Sequence, residues 1–276
     1  MTSGDVAALH DTEIAVFEEL IAALESTNDL DLAVHTVRKG VKRLRAHLRL
    51  WKSAVDPEVY RAEDENLARI GRSLAPARDA AVLGQTLNSL ESSAGWDVAA
   101  RFIEAHHESA LEELRLGPLD ETRVWLGTVR ARWLDLPERH RPTAVRQGVI
   151  RSHRKGAAAY GAAAATGQAD AFHRWRKQVK YLRYQLEAIG GDAAMTTALT
   201  DLGVMLGFEH DQTVFIDFID DNIDMLPDRR DRYVLIDRAE ARRNELRSDA
   251  LATDVYAASP DDFVAAVVDT QGGVEQ

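Results

Sequence analysis

The sequence predicts an all-α protein, and three observations carry that prediction. Good helix formers such as Ala, Leu, Arg and Glu are abundant in a 276-residue chain with only seven prolines, and β-branched residues rarely cluster. No window sustains the period-two alternation of a half-buried strand. Apolar residues recur instead at helical spacing. With 45% apolar residues the chain can bury a real core. Its longest uninterrupted apolar run, Phe263 to Val268, falls far short of the roughly 20 residues that cross a bilayer.

Amphipathic helices are expected over about 5–25, 57–75, 79–92, 95–115, 120–134, 192–206, 210–224 and 228–250, with basic helices from His35, from Arg146 and from Phe172. In the first basic helix His35, Arg38, Lys42, Arg45 and Arg49 lie at i, i+3, i+7, i+10 and i+14. At about 100° per residue they share an arc of roughly 80°. Val34, Val37, Val41, Leu44, Leu48 and Trp51 fall on the neighbouring arc, as do Phe172, Trp175, Val179, Leu182 and Leu186 later, and these should face the core. Trp125 and Trp133 read as helix-packing residues. The Gly-rich, polar tail over 270–276 reads as disordered.

Charge is segregated. The formal net charge is −11, and a negative field repels polyanions at long range. Yet His35 to Lys52 holds seven basic residues and no acid, Arg139 to Ala169 holds six and no acid, and Ala171 to Leu186 holds five and no acid. These blocks contain 18 of the 34 Lys and Arg residues, leaving 16 against all 45 acids elsewhere. The pattern describes a basic site on an acidic body.

The chain also repeats itself. HTVRKGVKRLR from His35 and HRWRKQVKYLR from His173 share seven of eleven positions at an offset of 138 residues. Each is followed by a leucine-glycine motif, LARIGRSLAPARD from Leu67 and LTDLGVMLGFEHD from Leu199, which places Arg78-Asp79 opposite His210-Asp211. Two related halves are expected, about 5–135 and 140–260, within one domain over 5–260, joined through the turn-rich segment around Pro137 and Pro142.

Arg presents a planar fork to phosphate oxygens and Lys a mobile point charge, so both along one helix suit a chain of repeating phosphates. A basic run is by itself most often a solvated face. Here no acid sits at i+4 to compensate the repulsion, and the arrangement occurs twice. His35 and His173 are each followed by Arg on the same face, which favours phosphate contact or positioning over metal ligation. Asp79 and Asp211 are expected to pair with stripe residues and hold them.

The doubled H-x-x-R-x-x-x-K-x-L-R helix, each copy followed by a leucine-glycine helix ending in (R/H)-D, resembles the CHAD domain, the conserved histidine α-helical domain, over about residues 5–260. The resemblance implies two four-helix bundles related by a pseudo-twofold axis, a basic cavity between them and binding of inorganic polyphosphate. Carried over, its histidines are His35 and His173, and its basic ligands are Arg38, Lys42, Arg45, Arg49, Arg176, Lys180 and Arg183, with Lys39, Lys177, Arg151 and Arg154 as additions. Pro76 departs from the pattern by interrupting the first leucine-glycine helix. The E-x-E-x-K signature of the CYTH triphosphatases, often fused to this family, is not found, so a stand-alone module is expected.

The expected function is therefore non-catalytic binding of inorganic polyphosphate or another polyanion, without cofactor or metal. Two competing readings are a metal-dependent phosphohydrolase of the HD type, based on His210-Asp211, and a helical nucleic-acid binder. Arg78 opposite His210 argues against the first, and the acidic body with no recognised nucleic-acid motif argues against the second. The absence of cysteine and of a positively charged leader fits a cytoplasmic protein, with association with polyphosphate granules as an extension of the same reading.

Overall fold

The computed structural model describes residues 3–26, 29–90, 92, 95–135, 141–226 and 228–268, and these contain no strand. In chain order the helices are α1 (Ser3–Glu25), α2 (Leu30–Leu50), α3 (Pro57–Ser73), α4 (Ala75–Ser89), α5 (Trp96–Arg115), α6 (Pro118–Leu134), α7 (Pro142–Thr166), α8 (Ala169–Ala188), α9 (Ala193–Asp221), α10 (Arg229–Leu251) and α11 (Pro260–Val267). No helix among the described residues is long and apolar enough to cross a membrane. The tail over 270–276 and the joint at Pro137 lie outside the described residues.

Local chemistry sets the boundaries that matter. Asp29 starts α2 by accepting the Leu32 N–H at 2.9 Å, and Asp192 starts α9 by accepting that of Met195 at 2.7 Å. The helices expected over 192–206 and 210–224 are one continuous helix, α9. Gly207 costs a helix interior about 1 kcal/mol relative to Ala, but its N–H lets the hydrogen-bond ladder continue. The repeat aligns Phe208 with Pro76, which has no N–H, and there the first half breaks into α3 and α4 with Pro76 in the first turn of α4. The short helix α11, absent from the sequence reading, is capped by Ser259 and packs on α7.

Helices α1, α2, α3 and α6 pack around one another, while α7, α8, α9 and α10 stack in chain order. Helix α4 lies between α5 and α9, and α2 crosses onto α8 and α7. Every position of the two expected apolar stripes, from Val34 to Trp51 and from Phe172 to Leu186, is buried. Trp51 meets Trp133 edge-on at 5.2 Å, and Phe17 meets Trp133 at 5.3 Å. Their indole N–H groups donate to two buried carboxylates, Trp51 to Glu13 at 3.0 Å and Trp133 to Glu63 at 3.2 Å. Trp125 is half-buried beneath Arg69.

The seam between α2 and α8 positions the site described next. Ala46, Tyr181 and Tyr184 form a small buried cluster there, and the Gln185 amide donates to the Ala46 carbonyl at 3.0 Å. Next to it α7 meets the end of α2 at Gly148, where a Cβ would lie 2.6 Å from the Leu50 Cα and 2.7 Å from its carbonyl oxygen. Both obstacles are backbone, so relief requires moving a helix. Gly148→Ala is expected to lower stability by about 2–3 kcal/mol in urea unfolding. Gly161→Ala, in the same helix with open space around it, should raise stability by about 0.5–1 kcal/mol.

Candidate functional site

Helices α2, α4, α8 and α9 enclose a cavity of about 430 Å³. Its wall carries seven basic side chains, Arg38, Lys39, Lys42, Arg78, Arg176, Lys180 and Arg183, against two acids, Asp79 and Asp211. His35, His210 and Tyr184 complete the polar lining, and Val204 and Phe208 form an apolar edge that is 48% and 55% exposed.

Four cations meet where α2 faces α8. Arg38 donates to the Gly71 carbonyl at 2.8 Å and approaches Asp79 at 3.5 Å, yet its buried Nε has no acceptor. Arg176, at the same place in the second repeat, also has a buried Nε without an acceptor. Lys42 and Lys180 make no hydrogen bond or ion pair among the described residues. Burial first, then the charges of Arg176, Arg38 and Arg78, lower the Lys42 pKa to about 7 against a partial offset from Asp79. Burial, Arg176 and Lys42 lower Lys180 to about 6, with Asp211 opposing. Asp79 and Asp211 are themselves raised by burial, which outweighs the cations around them.

The histidines feel the same field. Burial, then Arg78, Lys39, Lys42 and Lys180, lowers His35. His173 packs against His210 with ring centres 4.6 Å apart and planes tilted by 46°. Burial and Arg176, followed by His173 and the two lysines, lower His210 to about 3. It is a neutral imidazole at any physiological pH. Next to it in the chain, the buried Glu209 carboxylate takes 2.8 Å contacts from Arg247, whose guanidinium lies over Phe172 of α8.

Most of the other residues expected at the site are placed elsewhere. Arg45 grips Asp64 of α3 with both arms of its fork, at 2.9 and 3.2 Å, and Arg49 reaches the same carboxylate at 3.2 Å while stacking 4.0 Å over Tyr181. Burial disfavours the Asp64 carboxylate, but the Arg45 hydrogen bonds and the Arg49 charge outweigh it and lower its pKa. Arg151 donates to the Arg49 carbonyl at 3.3 Å, and Arg154 lies exposed 3.9 Å from Asp261. Lys177 is exposed on α8 outside the cavity wall. Arg183 lines the cavity, 3.2 Å from Glu187 and over the Tyr184 ring. The repulsion expected along the stripe is thus relieved in part by acids distant in sequence, Asp64 for Arg45 and Arg49 and Glu19 for Arg43.

Arg78, His210 and Tyr184 are cavity residues that the stripe pattern did not select. The repeat alignment held the signal for two of them, since it set Arg78 and His210 opposite one another ahead of matching aspartates.

A family model described as the CHAD domain matches residues 15–197. The chain belongs to the CHAD domain family. Two solved structures are similar to it. The CHAD domain from the plant Ricinus communis aligns at 19% identity with a TM-score of 0.61, covering 95% of this chain and 90% of that one. PptA from Streptomyces chartreusis aligns at 16% identity with a TM-score of 0.67, covering 92% and 99%. At these identities the likeness concerns the fold. No curated protein matches the chain.

The lowered lysines make stability depend on pH in a defined direction. The unfolded chain returns Lys42 and Lys180 to an ordinary value of 10.5, so between about pH 6 and 10.5 it binds more protons than the folded CHAD domain. Their contribution therefore improves as pH rises across that window and is lost as pH falls through 7 and 6. Lys42→Met/Lys180→Met should be more stable than the parent by about 1–3 kcal/mol at pH 6 in urea unfolding, with the gap closing towards pH 10.

Proposed function

We propose that this CHAD domain binds inorganic polyphosphate in the cavity between α2 and α8, without catalysing its turnover. The observation that carries the reading is the gathering of seven basic side chains against two acids, with two of the lysines driven down to about 7 and 6. Such a site is electrostatically strained when empty, and a chain of phosphates relieves it through charge-assisted hydrogen bonds.

The reading extends to the architecture. The domain comprises two repeats, about 5–135 and 140–260, forming two four-helix bundles related by a pseudo-twofold axis, with the cavity at their seam. In support, the motif helices α2 and α8 pack on each other, and α9 holds in one helix the leucine-glycine and His-Asp segments whose counterparts lie on α3 and α4. A metal at His210 would sit against Arg176, Lys180 and Lys42, and among the described residues no three His, Asp or Glu side chains gather to hold one. The proposed setting is the cytoplasm, including the surface of polyphosphate granules.

Titration with long-chain polyphosphate tests the reading. Affinity should fall about a hundredfold between 50 and 200 mM salt, as expected when some five phosphate charges are neutralised. Lys42→Gln/Lys180→Gln should cost at least about tenfold in affinity, since each charge-assisted hydrogen bond is worth about 1.5–3 kcal/mol. Arg151→Gln/Arg154→Gln, outside the cavity, should change affinity less than threefold. Equal losses from the two pairs would show that the basic surface at large, rather than the cavity, does the binding.

A further inference from the structure

A second, larger cavity of about 640 Å³ lies between α4, α5 and the start of α2, and His35 and Arg78 belong to the walls of both. Its chemistry changes sharply beyond that shared wall. Asp31 and Glu104 face it, so a phosphate chain entering from the basic side meets carboxylates and stops at His35 and Arg78. The amides of Gln85 and Asn88 line it and make no hydrogen bond among the described residues. Apolar side chains flank these groups, with Leu32 61% exposed at one side and the buried Ile103 at the other.

Such a lining suits a neutral, flat, hydroxyl-bearing group. Carboxylates accept from vicinal hydroxyls, free amides pair in both directions with the edge of a heterocycle, and the apolar flanks take its faces. Asp31 is already oriented for such a task, because His107 Nε2 holds one of its oxygens at 2.8 Å.

We propose that this cavity is a nucleoside subsite, so that the domain takes nucleoside 5′-oligophosphates with the nucleoside between α4 and α5 and the phosphates running past His35 and Arg78 towards Lys42 and Lys180. The inference rests on the anion reading of the basic cavity, and it adds a ligand class that charge alone does not select.

Calorimetric titration of the full chain with inorganic tetraphosphate and with adenosine 5′-tetraphosphate tests it at fixed salt and pH. The ester has lost one terminal ionisation, so charge alone makes it the weaker ligand. The expected result is at least tenfold tighter binding of the ester. Gln85→Leu/Asn88→Leu, at two exposed positions of α4, should abolish that preference and leave inorganic tetraphosphate binding within twofold of the parent. Equal or weaker binding of the ester by the parent overturns the nucleoside subsite while leaving the anion reading intact. A preference that survives in the double variant also overturns it. Failure of both ligands to bind overturns the anion reading and the subsite with it.

Discussion

Everything at the basic cavity depends on how α2 meets α8. The contact is made at Ala46, small enough to admit Tyr181 and Tyr184, and the Gln185 amide ties the two backbones. That seam buries basic groups and brings like charges together. Burial first, then Arg176, depresses Lys42; burial, then Arg176 and Lys42, depresses Lys180; and neither lysine has an ion-pair partner among the described residues. Apolar packing elsewhere offsets this repulsion: the Trp51, Trp133 and Phe17 cluster in the first half and the fully buried stripe from Phe172 to Leu186 in the second. A site made less stable than its surroundings in this way is the usual mark of a binding function held above a stability threshold.

The acids divide into two groups that explain why some basic residues are available and others are not. Asp64 and Glu209 hold arginines in tight, short contacts, and they fix α2 to α3 and α9 to α10. Asp79 and Asp211 lie in the cavity, their pKa values raised by burial, and among the described residues only Arg38 comes within 4 Å of Asp79. The first pair builds the frame. The second moderates the field without cancelling it, leaving Lys42 and Lys180 without a partner among the described residues. Charge count along the sequence therefore overstates the site, because the C-terminal half of the α2 stripe is consumed by structure.

Helix content and both core stripes were legible in the sequence because they rest on local periodicity, and the motif helices were legible because the chain presents them twice. The continuity of α9 was not, since a Gly-Phe pair reads as a boundary while its backbone can still complete the ladder; only the comparison of Pro76 with Phe208 distinguishes the two halves. The diversion of Arg45 and Arg49 to Asp64 was equally hidden. They share an arc with Arg38 and Lys42, but α2 is long enough for its two ends to face different neighbours, and those neighbours come from tertiary packing rather than spacing. Arg78 escaped the stripe argument because it sits on a different helix, although the repeat placed it opposite His210.

The central claim is that the cavity lysines are discharged by burial and by the cations around them, and recharged by a polyanion. Proton uptake on binding tests this most directly. At pH 8, Lys42 and Lys180 are largely neutral in the free domain, while internal phosphates of a long chain remain fully ionised and contribute no protons. Calorimetric titration with long-chain polyphosphate in Tris and in HEPES, buffers of different ionisation heat, should give an uptake of between about one and two protons per site, vanishing in Lys42→Gln/Lys180→Gln. Tight binding by the parent with no proton uptake would contradict the account, because it would place the ligand away from the two lysines on which the cavity is built.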